Sequence, residues 1–268
     1  MNLYTYFKLK YLLKNNVSFV WHSKESRFKK VEKIISIPLD LLIGIDRQKK
    51  SLQENTSNFA KGNFTNNALL WGSRGNGKST LIKAIFNELI TEYSNLKLIQ
   101  INKNDILEIK KIYSLADRIK EYRFIIFIDD LSFETIDNEY KIIKSTLDGS
   151  IENQPTNIIL YVTSNHRHLM SRDMIDNERS SAIHTDESVE EKISLSDRFG
   201  LWIGFHNISQ KEYLNIIQSY SNYYKIELQK NDLQQSIQWS LQRGNRNGRT
   251  AWQFILHLAA ERNLKISF

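Results

Sequence analysis

The sequence predicts an α/β protein: a parallel five-stranded sheet flanked by helices, followed by a small C-terminal helical lid. Three observations predict it. A short apolar run, Ala68-Leu69-Leu70-Trp71, enters the turn Gly72-Ser73-Arg74-Gly75-Asn76-Gly77-Lys78-Ser79-Thr80, after which Leu81, Ile82, Ile85, Phe86 and Leu89 recur at helical spacing. Further apolar runs alternate with helical patterns to about residue 206, as parallel strands joined by crossover helices do. From Ser209 onward the pattern is helical only.

In chain order, residues 3–21 read as one or two helical segments, and a polar stretch follows to Lys30. Pro38 marks an entry point, and residues 46–60 read as a helix leading to the strand at 68–71. The intervening Ile43-Gly44-Ile45 is either a wall for a purine base or plain core packing. Residues 96–101 alternate like a strand, and Asp105 to Tyr122 reads as a helix opened by an Asn/Asp cap. Phe124 to Ile128 is unbroken apolar, as in a strand covered on both faces, and ends in Asp129-Asp130. After a helix over 138–148, Ile158 to Val162 runs into Thr163-Ser164-Asn165. Residues 171–192 hold seven carboxylates against three basic side chains without hydrophobic period, and read as a surface insertion. Trp202 to Phe205 is the fifth strand, and helices are expected over about 209–224, 231–243 and 248–262. The expected division is a basic, aromatic-rich helical extension over 1–38, a nucleotide-binding unit over 39–207 and a lid over 208–268.

The turn at 72–79 fits G-x-x-x-x-G-K-S/T, and its residue types serve one chemistry. Glycines let backbone N–H groups converge on phosphate oxygens, and the helix N-terminus adds partial positive charge. Gly72, Gly75, Asn76, Gly77, Lys78, Ser79 and Thr80 are the expected nucleotide-binding residues. Lys78 reaches the β- and γ-phosphates, and the Ser79 hydroxyl takes a place on Mg²⁺. Asp129 stands at the carboxyl end of a buried strand, where open α/β sheets bind ligands, and is the expected Mg²⁺ partner. Asp130 is the expected acid that polarises the attacking water. It is one methylene shorter than Glu, so Glu134 is the alternative. Asn165, closing the next strand, can hydrogen-bond both that water and the γ-phosphate.

Together, the turn at 72–79, Asp129-Asp130, Asn165, Ser196-Asp197-Arg198-Phe199-Gly200 and the helical lid resemble an AAA+ ATPase over roughly residues 39–262. The wording "DDLSFE", "TSNHRHL", "EEKISLSDRFGLW" and "GRTAWQF" is closer still to a bacterial AAA+ group known mainly as an uncharacterised ATP-binding family. The Holliday-junction branch-migration motor is a more distant likeness. The resemblance implies Asn165 as the sensor of the γ-phosphate and Arg198 as an arginine finger on the neighbouring subunit's ATP. It implies Arg249 as the lid's own sensor, with Arg246 as the alternative. An intrachain ion pair of Arg198 with Asp197 or the acidic insertion is the competing reading.

Composition bounds the rest. The chain has 268 residues and a net charge of +7, with no cysteine, so disulfides and thiolate metal sites are excluded. No apolar run is long enough to span a bilayer, and a reducing cytoplasm is the expected setting. Residues 1–33 hold eight Lys/Arg against two Glu, so that segment carries +6 and the other 235 residues only +1. Aromatics interleave with those charges, which suits either a nucleic-acid contact or a helix packed on the body with its lysines outward. The expected function is Mg²⁺-dependent ATP hydrolysis by an oligomer that remodels or moves a macromolecule. The alternative is a slow or non-hydrolysing nucleotide-gated adaptor for nucleic acid or protein. Asn102-Lys103-Asn104-Asp105 looks like a guanine reader but precedes the acidic pair, so a GTPase is disfavoured.

Overall fold

The computed structural model describes residues 3–133, 138–148, 155–169 and 195–266. Helix α1 (Leu3–Asn15) is followed by β1 (Ser18–His22), β2 (Arg27–Lys30), α2 (Asp46–Ala60), β3 (Ala68–Gly72) and α3 (Lys78–Leu89). Then come β4 (Leu96–Ile101), α4 (Ile109–Asp117), β5 (Arg123–Ile128), α5 (Asn138–Asp148), β6 (Ile158–Ser164) and β7 (Leu201–Phe205). Helices α6 (Gln210–Tyr223), α7 (Asp232–Gln242) and α8 (Gly248–Glu261) complete the described residues. Among these, no helix is long and apolar enough to cross a membrane.

One sheet runs β2-β1-β4-β5-β6-β3-β7, parallel throughout except for β2. The unbroken apolar run of β5 is explained by its place in the middle. Ile125 and Phe127 enter one core with α2, α3, α6 and α8, while Phe124, Ile126 and Ile128 enter the other with α1, α4 and α5. Burial on both faces removes any need for alternation.

The sheet has seven strands, where five were expected. The two extra strands come from residues 18–30, where the sequence reading expected helix and a polar stretch. Helix is present over Leu3–Asn15, but Phe19 and Trp21 then alternate on one face and are 1% exposed. Trp21 stands opposite Phe28, their rings 5.4 Å apart, and β1 pairs Ser18 with Leu98 and Phe19 with Ile99. Two alternating aromatics in a five-residue strand are a weak signal beside a helix already rich in aromatics. Pairing supplies what local pattern lacks. The new sheet edge, β2, presents exposed Arg27, Lys29 and Lys30, charges that discourage pairing with another chain.

This topology sets the site. The turn after β3, the acids after β5 and Asn165 after β6 all lie at the carboxyl edge of adjacent parallel strands, the crevice of an open sheet. Helix α6 opens with a capping box: Glu212 N donates to Ser209 Oγ (3.2 Å) and Ser209 N to Glu212 Oε2 (2.6 Å). Helices α6, α7 and α8 pack against one another, and Arg262 bonds the buried Asp232 at 2.6 Å. The segment expected as an acidic insertion, 171–192, and Glu134 lie outside the described residues.

Candidate functional site

The glycine-rich turn is held in a shape that other residues cannot take. Gly72 has φ +128°, and a Cβ there would lie 1.9 Å from the Phe205 carbonyl oxygen on β7. Gly75 has φ +78°, and its Cβ would meet the Asn247 side chain at 2.6 Å. Both positions combine left-handed backbone with close approach, so glycine is required. Gly77 precedes the first turn of α3, whose Leu81 N donates to its carbonyl at 2.7 Å.

Lys78 starts α3 and is 7% exposed. Its Nζ donates to Gly72 O (2.6 Å), Ser73 O (2.9 Å) and Asn165 Oδ1 (3.2 Å). Burial pushes this ammonium down to about 8, against the opposing pull of Asp130 and Asp129. Ser79 Oγ donates to Asp129 Oδ1, which also accepts from Thr163 Oγ1 at 2.6 Å. Thr163 Oγ1 in turn accepts from Asp130 N at 2.9 Å. Asp130 has φ +55°, uncommon for a non-glycine residue, and its carboxylate accepts from Asn165 Nδ2. Asn165 therefore bridges the Lys78 ammonium and the Asp130 carboxylate.

The C-terminal helices reach this turn through the start of α8. Asn247 Nδ2 donates to Arg74 O at 3.1 Å, and Arg249 N donates to Gly75 O at 3.2 Å. Asn247 Oδ1 meanwhile accepts from Thr250 N (2.8 Å) and Thr250 Oγ1 (2.9 Å), capping α8. On the other side, Asn76 Nδ2 donates to His206 O (2.7 Å) and Ser73 Oγ to Asn207 Oδ1 (2.7 Å). The cleft so enclosed measures about 800 Å³. Leu42, Ile43, Ile45, Ile216, Tyr220 and Trp252 give it an apolar end; the turn, the acid pair, Asn165 and Arg249 give it a polar end.

Of the expected site residues, Gly75, Asn76, Gly77, Lys78, Ser79, Thr80, Asp129, Asp130, Asn165 and Arg249 line this one cleft, and Gly72 holds Lys78 through its carbonyl. Arg246 does not line it. Neither does Arg198, whose guanidinium pairs with Asp148, the last residue of α5. The sequence reading missed Thr163 and Asn247. An Asn directly before a helical pattern was the available signal for Asn247; a hydroxyl at a strand end is too common to have marked Thr163. Among the described residues no group of three His, Cys, Asp or Glu could hold a metal. The Ser79 hydroxyl and the Asp129 carboxylate, bonded to each other in this cleft, are oxygen donors of the kind that suits Mg²⁺ completed by phosphate oxygens and water.

A glycine-rich turn after the strand between β6 and β7, an acid pair after β5, and C-terminal helices bonded to the turn are the arrangement of the AAA+ P-loop ATPase fold. Solved structures agree. The Holliday junction branch migration motor RuvB of Thermotoga maritima superposes with a TM-score of 0.55 at 18% identity, over 85% of this chain and 66% of that one. Domain III of the Thermotoga maritima replication initiation protein DnaA gives 0.54 at 14% identity, over 86% and 91%. A DNA replication initiation factor gives 0.51 at 16% identity, over 84% and 64%. The chain thus spans just under two thirds of the branch migration motor's length. Residues 14–262 match the model of the family described as "Protein of unknown function (DUF815)", and the chain belongs to that family. No curated protein matches the chain.

Proposed function

We propose that the protein binds ATP with Mg²⁺ and hydrolyses it as an oligomer, coupling turnover to remodelling or moving a macromolecule. The observation that carries this reading is the convergence of Lys78, Ser79, Asp129, Asp130, Asn165 and Arg249 on one cleft. The triphosphate lies along the turn, where backbone N–H groups and the start of α3 face its oxygens. Lys78 exchanges two carbonyl partners for phosphate oxygens, a charge-assisted and stronger contact. Ser79 and Asp129 would hold Mg²⁺, which neutralises phosphate charge when bound. Asp130 takes the proton of the attacking water once Asn165 turns from its carboxylate toward the γ-phosphate. Arg249 reports the nucleotide to the lid, because its own backbone is bonded to Gly75. Arg198 acts on the neighbour's nucleotide, which its position outside its own cleft supports. In this reading residues 39–207 are the nucleotide-binding unit and 208–268 the lid.

One observation favours the second reading, a nucleotide-gated adaptor with little hydrolysis. The acid at 130 is the short Asp, and its oxygen is already engaged by Asn165. Steady-state ATP turnover, measured over a range of protein concentrations with and without DNA, separates the two. The ATPase reading expects turnover per subunit to rise with concentration. An ATP-binding protein with negligible turnover at every concentration supports the adaptor and removes the motor.

A further inference from the structure

Helix α1 is anchored along one side and unusually dressed along the other. Leu13 is fully buried, with Tyr6, Leu9 and Leu12 packed into the same core, and Lys10 bonds Glu121 at 2.9 Å. The opposite face displays Tyr4, Phe7 and Tyr11, which are 75%, 58% and 74% exposed. At 100° per residue these three rings fall within a stripe about 60° wide and about 10 Å long. Lys8 and Lys14, both exposed, fall on its two flanks. Single exposed aromatics need no explanation, but three aligned on an anchored helix mark a contact surface.

We propose that this face of α1 is a docking platform for single-stranded nucleic acid, with bases stacked on Tyr4, Phe7 and Tyr11 and phosphates met by Lys8 and Lys14. Charge selects the occupant. The α1 sequence LYTYFKLKYLLKN contains no carboxylate, so a second copy would set lysine against lysine. A polyanion is complementary. Chemistry narrows it further. An acidic peptide would use the lysines and leave the ring faces idle, whereas every base has a π-face to stack on a ring. Two of the three rings carry hydroxyls, which need partners that base edges, phosphates and water supply and lipid chains do not. The platform is continuous with the sheet through β1, which follows α1 after two residues and pairs with β4. The inference rests on the reading above that turnover acts on a macromolecule, and it names that macromolecule's class.

The test uses the full chain and a fluorescein-labelled oligothymidylate of about 20 nucleotides, followed by anisotropy at low salt and across a salt series. A duplex of equal length and anionic phosphatidylglycerol vesicles serve as competing probes. The expected result is binding of the single strand in preference to duplex and vesicles. Tyr4→Ala/Phe7→Ala/Tyr11→Ala lowers that affinity by about tenfold or more, and Tyr4→Trp/Tyr11→Trp preserves or tightens it. Lys8→Ala/Lys14→Ala weakens binding and flattens the log–log salt slope by about 1.4. ATP affinity of every variant stays at the parent value, which reports an intact fold. Absence of single-strand binding at low salt, or binding untouched by the triple aromatic variant, overturns the platform. So does aromatic-dependent binding of vesicles alone. Any of these results with ATP binding intact removes the platform and leaves the nucleotide site standing.

Discussion

Arg249 lines the cleft, where the backbone at its own position donates to Gly75 of the glycine-rich turn, whereas Arg198 stands outside, paired with Asp148 at the end of α5. The first arginine lines the cleft of its own chain. The second, 26% exposed along its side chain, stands on a different surface of the chain. The difference teaches that position in the fold, more than residue type, decides which arginine can face the chain's own cleft, and it is the ground for giving the two different roles in the proposal above.

The largest expected effect breaks this comparison at Arg198. Arg198→Ala keeps near-normal ATP binding, because Lys78 and Ser79 are untouched, but loses about 10³-fold in turnover. Mixed with Lys78→Ala subunits it regains partial activity, since an Arg198-bearing subunit then abuts an intact turn. If Arg198 serves only its pair with Asp148, then Asp148→Ala and Arg198→Ala lose stability alike, turnover per folded subunit holds, and mixing rescues nothing. Stopped-assay phosphate release and thermal melts distinguish the two.

A second effect sharpens the intrachain half. Asp130→Asn keeps the shape around Asn165 and removes the basic oxygen, so ATP binding persists while turnover falls about 10²-fold or more. Normal turnover in this variant, with loss in Glu134→Gln, transfers the water-activating role to Glu134.

Lys78 comes third. Lys78→Ala lowers ATP affinity by about tenfold or more, as measured by calorimetry. Because burial places its folded value near 8, below the ordinary lysine value of 10.5, apo Lys78 loses its proton as pH rises through about 8. ATP affinity of the parent therefore declines above that pH, and Lys78→Arg removes the decline. The same depression means that the unfolded chain binds more protons between about 8 and 10.5, so apo stability gains from Lys78 as pH rises across that window. A parent affinity that is flat from pH 7 to 9.5 means that apo Lys78 keeps its proton across that range, and unchanged ATP affinity in a folded Lys78→Ala protein is the result that contradicts its assignment to the triphosphate.

How much of this was legible in the sequence depends on how local each signal is. The turn at 72–79, the acids closing β5 and Asn165 closing β6 could be read because a fixed spacing or a strand end marks each. The strand–helix alternation likewise located five strands of the sheet, β3 to β7. The β1–β2 hairpin was not legible, because Phe19 and Trp21 follow a helix with the same residue types and only pairing with β4 and β2 makes them a strand. Among the described residues Arg198 pairs with Asp148, 50 residues away, a partner that no local pattern suggests, while the acidic insertion lies outside them. Asn247 meets Arg74 across 173 residues. Contacts of that range have no periodicity to betray them.

Asn247 gives the smallest expected effect and the finest test of the intrachain site, since one side chain does two things there. Its Oδ1 caps α8, and its Nδ2 ties the lid to Arg74 O. Asn247→Ala loses both and costs about 0.5–2 kcal/mol of stability through the cap alone. Asn247→Asp keeps an acceptor for Thr250 at a helix N-terminus, where a carboxylate is favoured. It surrenders the donor to Arg74 O and sets a negative charge beside the turn. The Asp variant should therefore melt close to the parent yet bind ATP several-fold more weakly, about 1 kcal/mol for the lost hydrogen bond. If the tie matters only for stability, the two variants separate in melting temperature and not in ATP affinity. If both bind ATP as the parent does, the lid's hold on the turn is incidental, and Arg249 must find the nucleotide by some route other than its bond to Gly75.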